Sequence, residues 1–389
     1  MILLDLPYVS DFLKETITRN SFQTYEPSGA RHFIPGREPY ILTSEEAVEV
    51  IRKDPGTRIY TNSENSIHWI AENLGFTGLP SIIRVFKDKV AFRRLTQDLF
   101  PEVFFKEVEF DEIEALHVEA LTFPFVIKPS VGFFSLGVYT VNQLFEWDEI
   151  KKRIHDDIQH IRKLYPKEVL DTSKFLVEQY IKGVEYAFDA YFDENGKPVI
   201  LNILKHLFAS GDDVSDRIYV TSKSILLENL PRLTGFLEQL NSLVPMKNFP
   251  LHVEVRIDEN GRCVPIEVNP LRFGGWCTTA DTTWFAYGIN SYEYFLNNIK
   301  PDWPALLAKK DDSLFSLVVL NNSTGIPGKE IRSFNFDQLL THFQKPLELR
   351  KVDHTAFPLF GFLFIETNET NTQELEWILK DNLREFVAY

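Results

Sequence analysis

Phe123 to Val138 reads FPFVIKPSVGFFSLGV, an apolar run that one lysine interrupts and that leads into two glycines with four residues between them. The glycine spacing matches the start of a Walker-type phosphate loop, but Val138 and Tyr139 stand where that motif carries Lys and Ser or Thr. The cation, Lys128, comes before the glycines instead. A lysine inside such a run must snorkel to water or bind something, so its partners have to be found elsewhere in the chain.

The strongest local signals downstream are two Asn-Gly hairpins, EYAFDAYFDENGKPVILNILKHLF and LHVEVRIDENGRCVPIEVNPL. If Asn260 and Gly261 are the two turn residues of the second, cross-strand partners have numbers that sum to about 521. Glu254 then opposes Glu267 and His252 opposes Asn269. Because side chains alternate faces, Val253, Val255, Ile257, Val264, Ile266 and Val268 share an apolar face, while His252, Glu254, Arg256, Glu267 and Asn269 share the other. Two carboxylates about 5 Å apart oppose folding unless a cation sits between them. With the carbonyl of Asn269 they form an all-oxygen set suited to Mg²⁺ on substrate phosphates. The hairpin alone is read equally well as a solvated acidic face with Arg256 as counter-ion. If the carboxylates are unpaired, Glu267→Gln leaves the metal-free protein as stable or more so.

Composition narrows the function classes. The 389 residues, 44% hydrophobic, suffice for two or three packed layers or subdomains. A formal charge of −15 argues against nucleic acid or an anionic membrane as main partner, since either needs a basic face. Cys263 and Cys277 are too few for a disulfide framework or a four-cysteine zinc site, which points to reduced thiols and a cytoplasmic setting. The longest apolar run, FPLFGFLFI at 357–365, is too short to span a membrane, and MILLDLPYV lacks the basic start of a signal peptide.

Along the chain, residues 1–85 alternate short apolar runs with helical patterns (DFLKETITRN, SEEAVEVIRK, SENSIHWIAENL), which predicts a small α/β unit with a parallel sheet. GFTGLP reads as punctuation. A helix is expected from about Asn142, a strand at FLVEQYI and a helix at TGFLEQLNSLV. The tail, 311–389, reads as a small α+β subdomain.

PFVIKPS with its following Ser and Gly-Val, then LVEQYIKGVEY, then HVEV and PIEVNP occur in the order and approximate spacing of the ATP-grasp superfamily, which the chain resembles from about residue 85 to 290. In that family the lysine ends a strand before a loop that closes over phosphates, which accounts for the reversed order at Lys128. The resemblance implies an α/β fold of the α+β ATP-grasp kind. Residues 1–85 would be a Rossmann-like pre-ATP-grasp unit, 86–310 the ATP-grasp domain with a lid at about 120–182, and 311–389 a C-terminal α+β lid.

By the same resemblance, Lys89 and Lys128 bind ATP, with Lys128 also catalytic. Ser130 and Gly132 to Gly137, including Ser135, cover the phosphates. Glu178, Gln179 and Ile181 frame the adenine, Glu185 binds the ribose, and Glu254, Glu267 and Asn269 hold Mg²⁺, with Mn²⁺ as a substitute. The residues alone also allow Lys89 to be an ordinary surface lysine and Glu185 to pair only with His206. Two departures stand out: the loop tip GFFS is poor in glycine, and Leu271 displaces by one position the arginine that the family places after Asn-Pro. Unless a bulge or turn at Pro270 intervenes, Arg272 would face away from its expected role at an acyl phosphate.

The implied activity is ATP-dependent joining of a carboxylate to an amine or thiol through an acyl phosphate, with release of ADP and phosphate. Amino-acid ligases and biotin-carboxylase-like members look closest. The alternatives are an ATP-grasp kinase, a carboxylase-type subunit or a non-catalytic ATP-binding protein. Partners would be small carboxylates and amines, and the resemblance is compatible with a homodimer. Arg217, Tyr219, Trp276 and Asp281 are candidates for the substrate pocket.

Overall fold

The computed structural model describes all residues except 29–32, 35, 37–40, 133–136, 162–170, 210–214 and 369. At the N-terminus, four two-residue strands form an all-parallel sheet in the order Ile41–Leu42, Thr24–Tyr25, Ile2–Leu3, Tyr60–Thr61. Ile2 and Leu3 are fully buried. The helices between them start where the sequence supplies caps. The Ser10 hydroxyl accepts from the Leu13 amide ahead of Asp11–Asn20, and Thr43 and Glu46 form a reciprocal capping box on Ser44–Lys53.

The GFTGLP segment leads into two helices that the sequence pattern did not announce, Leu79–Lys87 and Lys89–Thr96. Asp88 alone separates them. Its backbone is extended, and its carboxylate accepts from the amides of Val90 and Ala91. One capping aspartate thus breaks the rod and leaves Lys87 and Lys89 buried on either side of the corner.

A second, four-stranded antiparallel sheet runs Phe105–Glu109, Asp171–Gln179, Phe125–Val131, Tyr139–Val141. The helix Trp147–Ile161 covers it with Trp147, Ile150, Ile154 and Ile158, spaced three and four apart on one face. This helix starts later than Asn142 because the Glu146 carboxylate turns back to accept from the Asn142 amide, which closes a short turn first.

The large sheet is antiparallel and has nine strands, with the order Cys263–Pro270, Phe249–Ile257, Val184–Phe192, Leu204–Leu207, Ile218–Thr221, Leu314–Asn321, Leu359–Thr367, Pro346–Lys351, and Pro198–Ile200 paired to Val184–Phe192 off this path. Three strands from the tail therefore continue the same sheet. The helix Lys223–Leu243 packs Leu226, Leu233, Phe236, Leu237 and Leu240 into the main core, and it begins well before TGFLEQLNSLV because it runs through Pro231.

Both Asn-Gly turns differ from the two-residue form. In each, an aspartate opens a three-residue loop: Asp193 Oδ1 accepts from the amides of Asn195 and Lys197, and Asp258 Oδ1 from those of Asn260 and Arg262. Gly196 (φ 76°) and Gly261 (φ 78°) take the left-handed position that closes it. In the second hairpin this displaces the pairing by one, so that Ile257 meets Cys263 and Val255 meets Pro265. An irregularity between Glu254 and Val255 then restores it, and Glu254 does oppose Glu267, and His252 Asn269. Ile266 is the residue in excess. It leaves the apolar face and lines the cleft described next.

Candidate functional site

The cleft lies between the four-stranded sheet and the carboxylate face of the nine-stranded sheet, with Lys89, Lys128, Glu178, Glu185, Glu254 and Glu267 on its walls. On the four-stranded sheet, Lys128 pairs cross-strand with Leu176, and its Nζ reaches Glu178 Oε1 at 2.7 Å. The other oxygen of Glu178 accepts from Arg93 Nε at 2.5 Å, and Arg93 also donates to the Pro265 carbonyl at 2.6 Å. Burial raises the Glu178 pKa, but the charges of Arg93 and Lys128 outweigh it and hold the carboxyl at about 2. Burial lowers that of Lys128, only partly opposed by Glu178.

Lys89 is buried, which excludes the surface role its sequence allowed. Its Nζ lies 3.3 Å from Glu267 Oε2 and donates to the Gly132 carbonyl at 3.0 Å, which ties the start of the glycine loop to the carboxylate hairpin. Glu254 has His252 Nε2 at 3.6 Å. Each of the opposed carboxylates therefore has a protein cation beside it, and the premise of an unpaired like-charge couple does not hold. Arg256, the counter-ion expected for this face, pairs instead with Glu185 (2.9 Å) and the Ile181 carbonyl (2.8 Å). Burial opposes ionisation of Glu267, yet Lys89 and Lys87 hold its pKa below the usual carboxylate value.

Asn269 is 2% exposed, and among the described residues its Oδ1 has no hydrogen-bond partner. An orphaned buried carbonyl oxygen costs roughly 1–3 kcal/mol. Here it shares a strand face with Glu267 and lies across from His252, with Glu254 across from Glu267. This donor set of two carboxylates and one unsatisfied amide oxygen fits a hard divalent cation. No group of three or more His, Cys, Asp or Glu converges for a metal among the described residues, so the amide is needed to complete the set.

Arg272 reaches its place by strained backbone. The strand stops at Pro270, and Leu271 adopts φ 60°, a left-handed conformation that costs a non-glycine residue about 1–2 kcal/mol. The turn returns Arg272 to the carboxylate side. Its Nη2 donates to Glu64 Oε1 at 2.8 Å, and Glu267 and Glu254 both help to raise its pKa. Glu64 also accepts from Lys87 at 2.5 Å, and despite burial these cations hold it at about 2. Trp276 (φ 56°) and Cys277 (φ 61°) repeat the left-handed conformation a few residues on, a concentration of strain of the kind found at functional sites.

Other expected residues are placed less simply. The Ser130 hydroxyl donates to Asp88 at 2.5 Å, and Gln179 Oε1 accepts from the Phe104 amide. Glu185 lies 3.0 Å from His206 Nδ1, the cross-strand pairing its sequence allowed, in addition to its pair with Arg256. Gly137 has φ 72°. Ser135 falls outside the described residues. Tyr219 stacks on His206 and donates to Asp216, a wall residue that burial pushes up to about 6. Arg217 binds the carbonyls of Ile378 and Asp381, away from the cleft.

Arg93, Lys87, Glu64 and Ile266 belong to this array and were not singled out from the sequence. For Arg93 and Lys87 the available signal was four basic residues within FKDKVAFRR, of which Lys87, Lys89 and Arg93 are buried and Arg94 is exposed.

Residues 121–280 match a family model described as the ATP-grasp domain, and the chain carries an ATP-grasp domain there. The whole structure is similar to the L-amino acid ligase of Bacillus licheniformis, at 17% identity and a TM-score of 0.65, covering 100% of this chain and 98% of that one. It is also similar to the N5-carboxyaminoimidazole synthetase of Staphylococcus aureus solved with ADP (13% identity, TM-score 0.62, 97% and 96% covered). A third is the biotin carboxylase of Campylobacter jejuni (11% identity, TM-score 0.60, 94% and 87% covered). At these identities the likeness establishes the fold. No curated protein matches the chain in sequence.

Proposed function

We propose that the protein is an ATP-dependent ligase that activates a carboxylate as an acyl phosphate and transfers it to an amine. The observation that carries this reading is the opposed pair Glu254 and Glu267 with the unsatisfied Asn269 oxygen, set between Lys89, Lys128 and Arg272 on an ATP-grasp domain.

Each residue has a part in that chemistry. Lys89 and Lys128 neutralise phosphate oxygens, Glu178 holds Lys128 in place, and the 178–181 segment and Ile266 flank the base. Glu185 accepts from the ribose hydroxyls. Glu254, Glu267 and Asn269 would hold Mg²⁺, which supplies charge neutralisation on the β- and γ-phosphate oxygens. Arg272, oriented by Glu64, faces charge that develops on the transferred phosphoryl group. The cleft encloses about 140 Å³, below the roughly 300–1,000 Å³ of small-molecule pockets. Nucleotide entry on this reading parts Lys89 from Glu267, so that the lysine takes phosphate while the carboxylate takes the metal.

The test is a screen of amino acids and small carboxylates, singly and in pairs, for release of ADP and phosphate from MgATP. A ligase releases both together and only when a carboxylate and an amine are present. Release that depends on bicarbonate, or ADP without phosphate, would point to a carboxylase or a kinase instead.

A further inference from the structure

Asp189, on the strand Val184–Phe192, is fully buried, and a carboxylate there needs its lone pairs met and a cation beside it. Its Oδ1 accepts from His252 Nδ1 at 2.7 Å and from the Gly274 amide at 3.0 Å. Its Oδ2 accepts from Thr279 Oγ1 at 2.6 Å and from Asn202 Nδ2 at 2.8 Å. The four donors come from four separate stretches of chain, which fixes the acid in place. Of them, His252 alone can carry charge. Neither Asp189 nor His252 lines the cleft.

The strand register shows what this pair acts on. Along one face of two neighbouring strands, Glu185 lies across from Arg256 and Asp189 across from His252, while Glu254, between them, lies across from Ala187. On its other side Glu254 meets Glu267. Neither cross-strand neighbour offers it a cation, and Arg256 is engaged by Glu185 and the Ile181 carbonyl. Among the described residues its ion pair runs along its own strand, to His252 Nε2 at 3.6 Å. The imidazole, 5% exposed, thus has one nitrogen on an immobile acid and the other beside Glu254.

We propose that His252, clamped by Asp189, is a positioning residue that holds the Glu254 carboxylate in the orientation in which it takes the metal. The proposal rests on the reading of Glu254 as a ligand of Mg²⁺ and adds what keeps that ligand in place. Outer partners of this kind are worth about ten- to a hundredfold in metal affinity.

ATP titration calorimetry with and without Mg²⁺ on the parent, His252→Asn and Thr279→Val, with a urea midpoint for each, tests it. Asparagine keeps an N–H donor for Asp189 but is too short to reach Glu254. His252→Asn is expected to cut the Mg²⁺-dependent gain in ATP affinity at least about tenfold, with affinity in the absence of metal unchanged. Thr279→Val takes a donor from the other oxygen of Asp189, so a lower urea midpoint is expected with the Mg²⁺ gain kept. Asp189→Asn is expected to lose the gain as His252→Asn does, and it carries the test if His252→Asn does not fold. The proposal is overturned if the gain survives in these two variants, or if affinity falls equally with and without metal. It is also overturned if Thr279→Val loses the gain too, which would make the network a matter of folding alone. A parent without any Mg²⁺ gain removes the metal reading and this proposal together, whereas a gain that His252→Asn retains removes the positioning role alone.

Discussion

At the scale of single residues, the buried Lys89 pairs with the half-buried Glu267, and this reverses a sign. Treated as one of two facing, unpaired carboxylates, Glu267 would be better neutralised. Paired with Lys89 at 3.3 Å, it balances a buried ammonium. Glu267→Gln is therefore expected to destabilise the metal-free protein by about 1–3 kcal/mol, read as a lower urea midpoint at unchanged slope. An unchanged or raised midpoint would show that the pair contributes nothing to folding. The carboxylates themselves were legible, because the alternation of HVEV and PIEVNP fixes their face. Their partners were not, since Lys89 arrives from a helix corner far away in sequence, set by Asp88. Arg272 was legible only as a conflict, and Leu271 resolves it by adopting a conformation that no residue-type preference would assign it.

Among elements, the joints matter more than the strands. Gly183, with φ 137°, sits where the chain passes from the four-stranded to the nine-stranded sheet, and a Cβ there would lie 2.4 Å from the Ile257 carbonyl oxygen. Backbone cannot yield as a flexible side chain does, so Gly183→Ala is expected to lower the melting temperature by several degrees. It should also loosen the hairpin end, read as faster amide exchange at Val184 and Ile257. A parent-like melting curve would mean that the two sheets are not locked at this point. The aspartate-led turns show why register is hard to take from Asn-Gly alone. The dipeptide signals a hairpin, but Asp193 and Asp258 select the three-residue form, and only the irregularity at Ile266 brings Glu254 and Glu267 back opposite each other. The helix Lys223–Leu243 was legible only after Pro231 because a proline normally ends a helix, whereas here the long apolar stripe on either side carries the chain through it.

Across the whole molecule, carboxylates held down by cations join separate parts: Glu64 of the N-terminal region to Arg272, and Glu178 of the four-stranded sheet to Arg93 of the helix Lys89–Thr96, with Lys128 of its own sheet as second partner. Both have a folded pKa of about 2, below the ordinary 4.5. Because the folded value is the lower one, the stability they contribute is fully present above pH 4.5 and is lost as the pH falls toward 2. Unfolding midpoints across that window should drop steeply, and the drop should be shallower in Glu64→Gln. A flat profile would show that these pairs do not join the parts. The α/β character and the parallel N-terminal sheet followed from periodicity. The continuity of the tail with the large sheet did not, because strand neighbours distant in sequence leave no local trace. The central claim is that the cleft grips ATP through a metal held by the carboxylate hairpin, and ATP titration calorimetry with and without Mg²⁺ on the parent, Glu267→Gln and Glu259→Gln tests it most directly. The account predicts that Mg²⁺ tightens ATP in the parent and in Glu259→Gln, whose substitution lies in the turn, but much less in Glu267→Gln. ATP that fails to bind the parent, or a Mg²⁺ effect of equal size in all three, would contradict it.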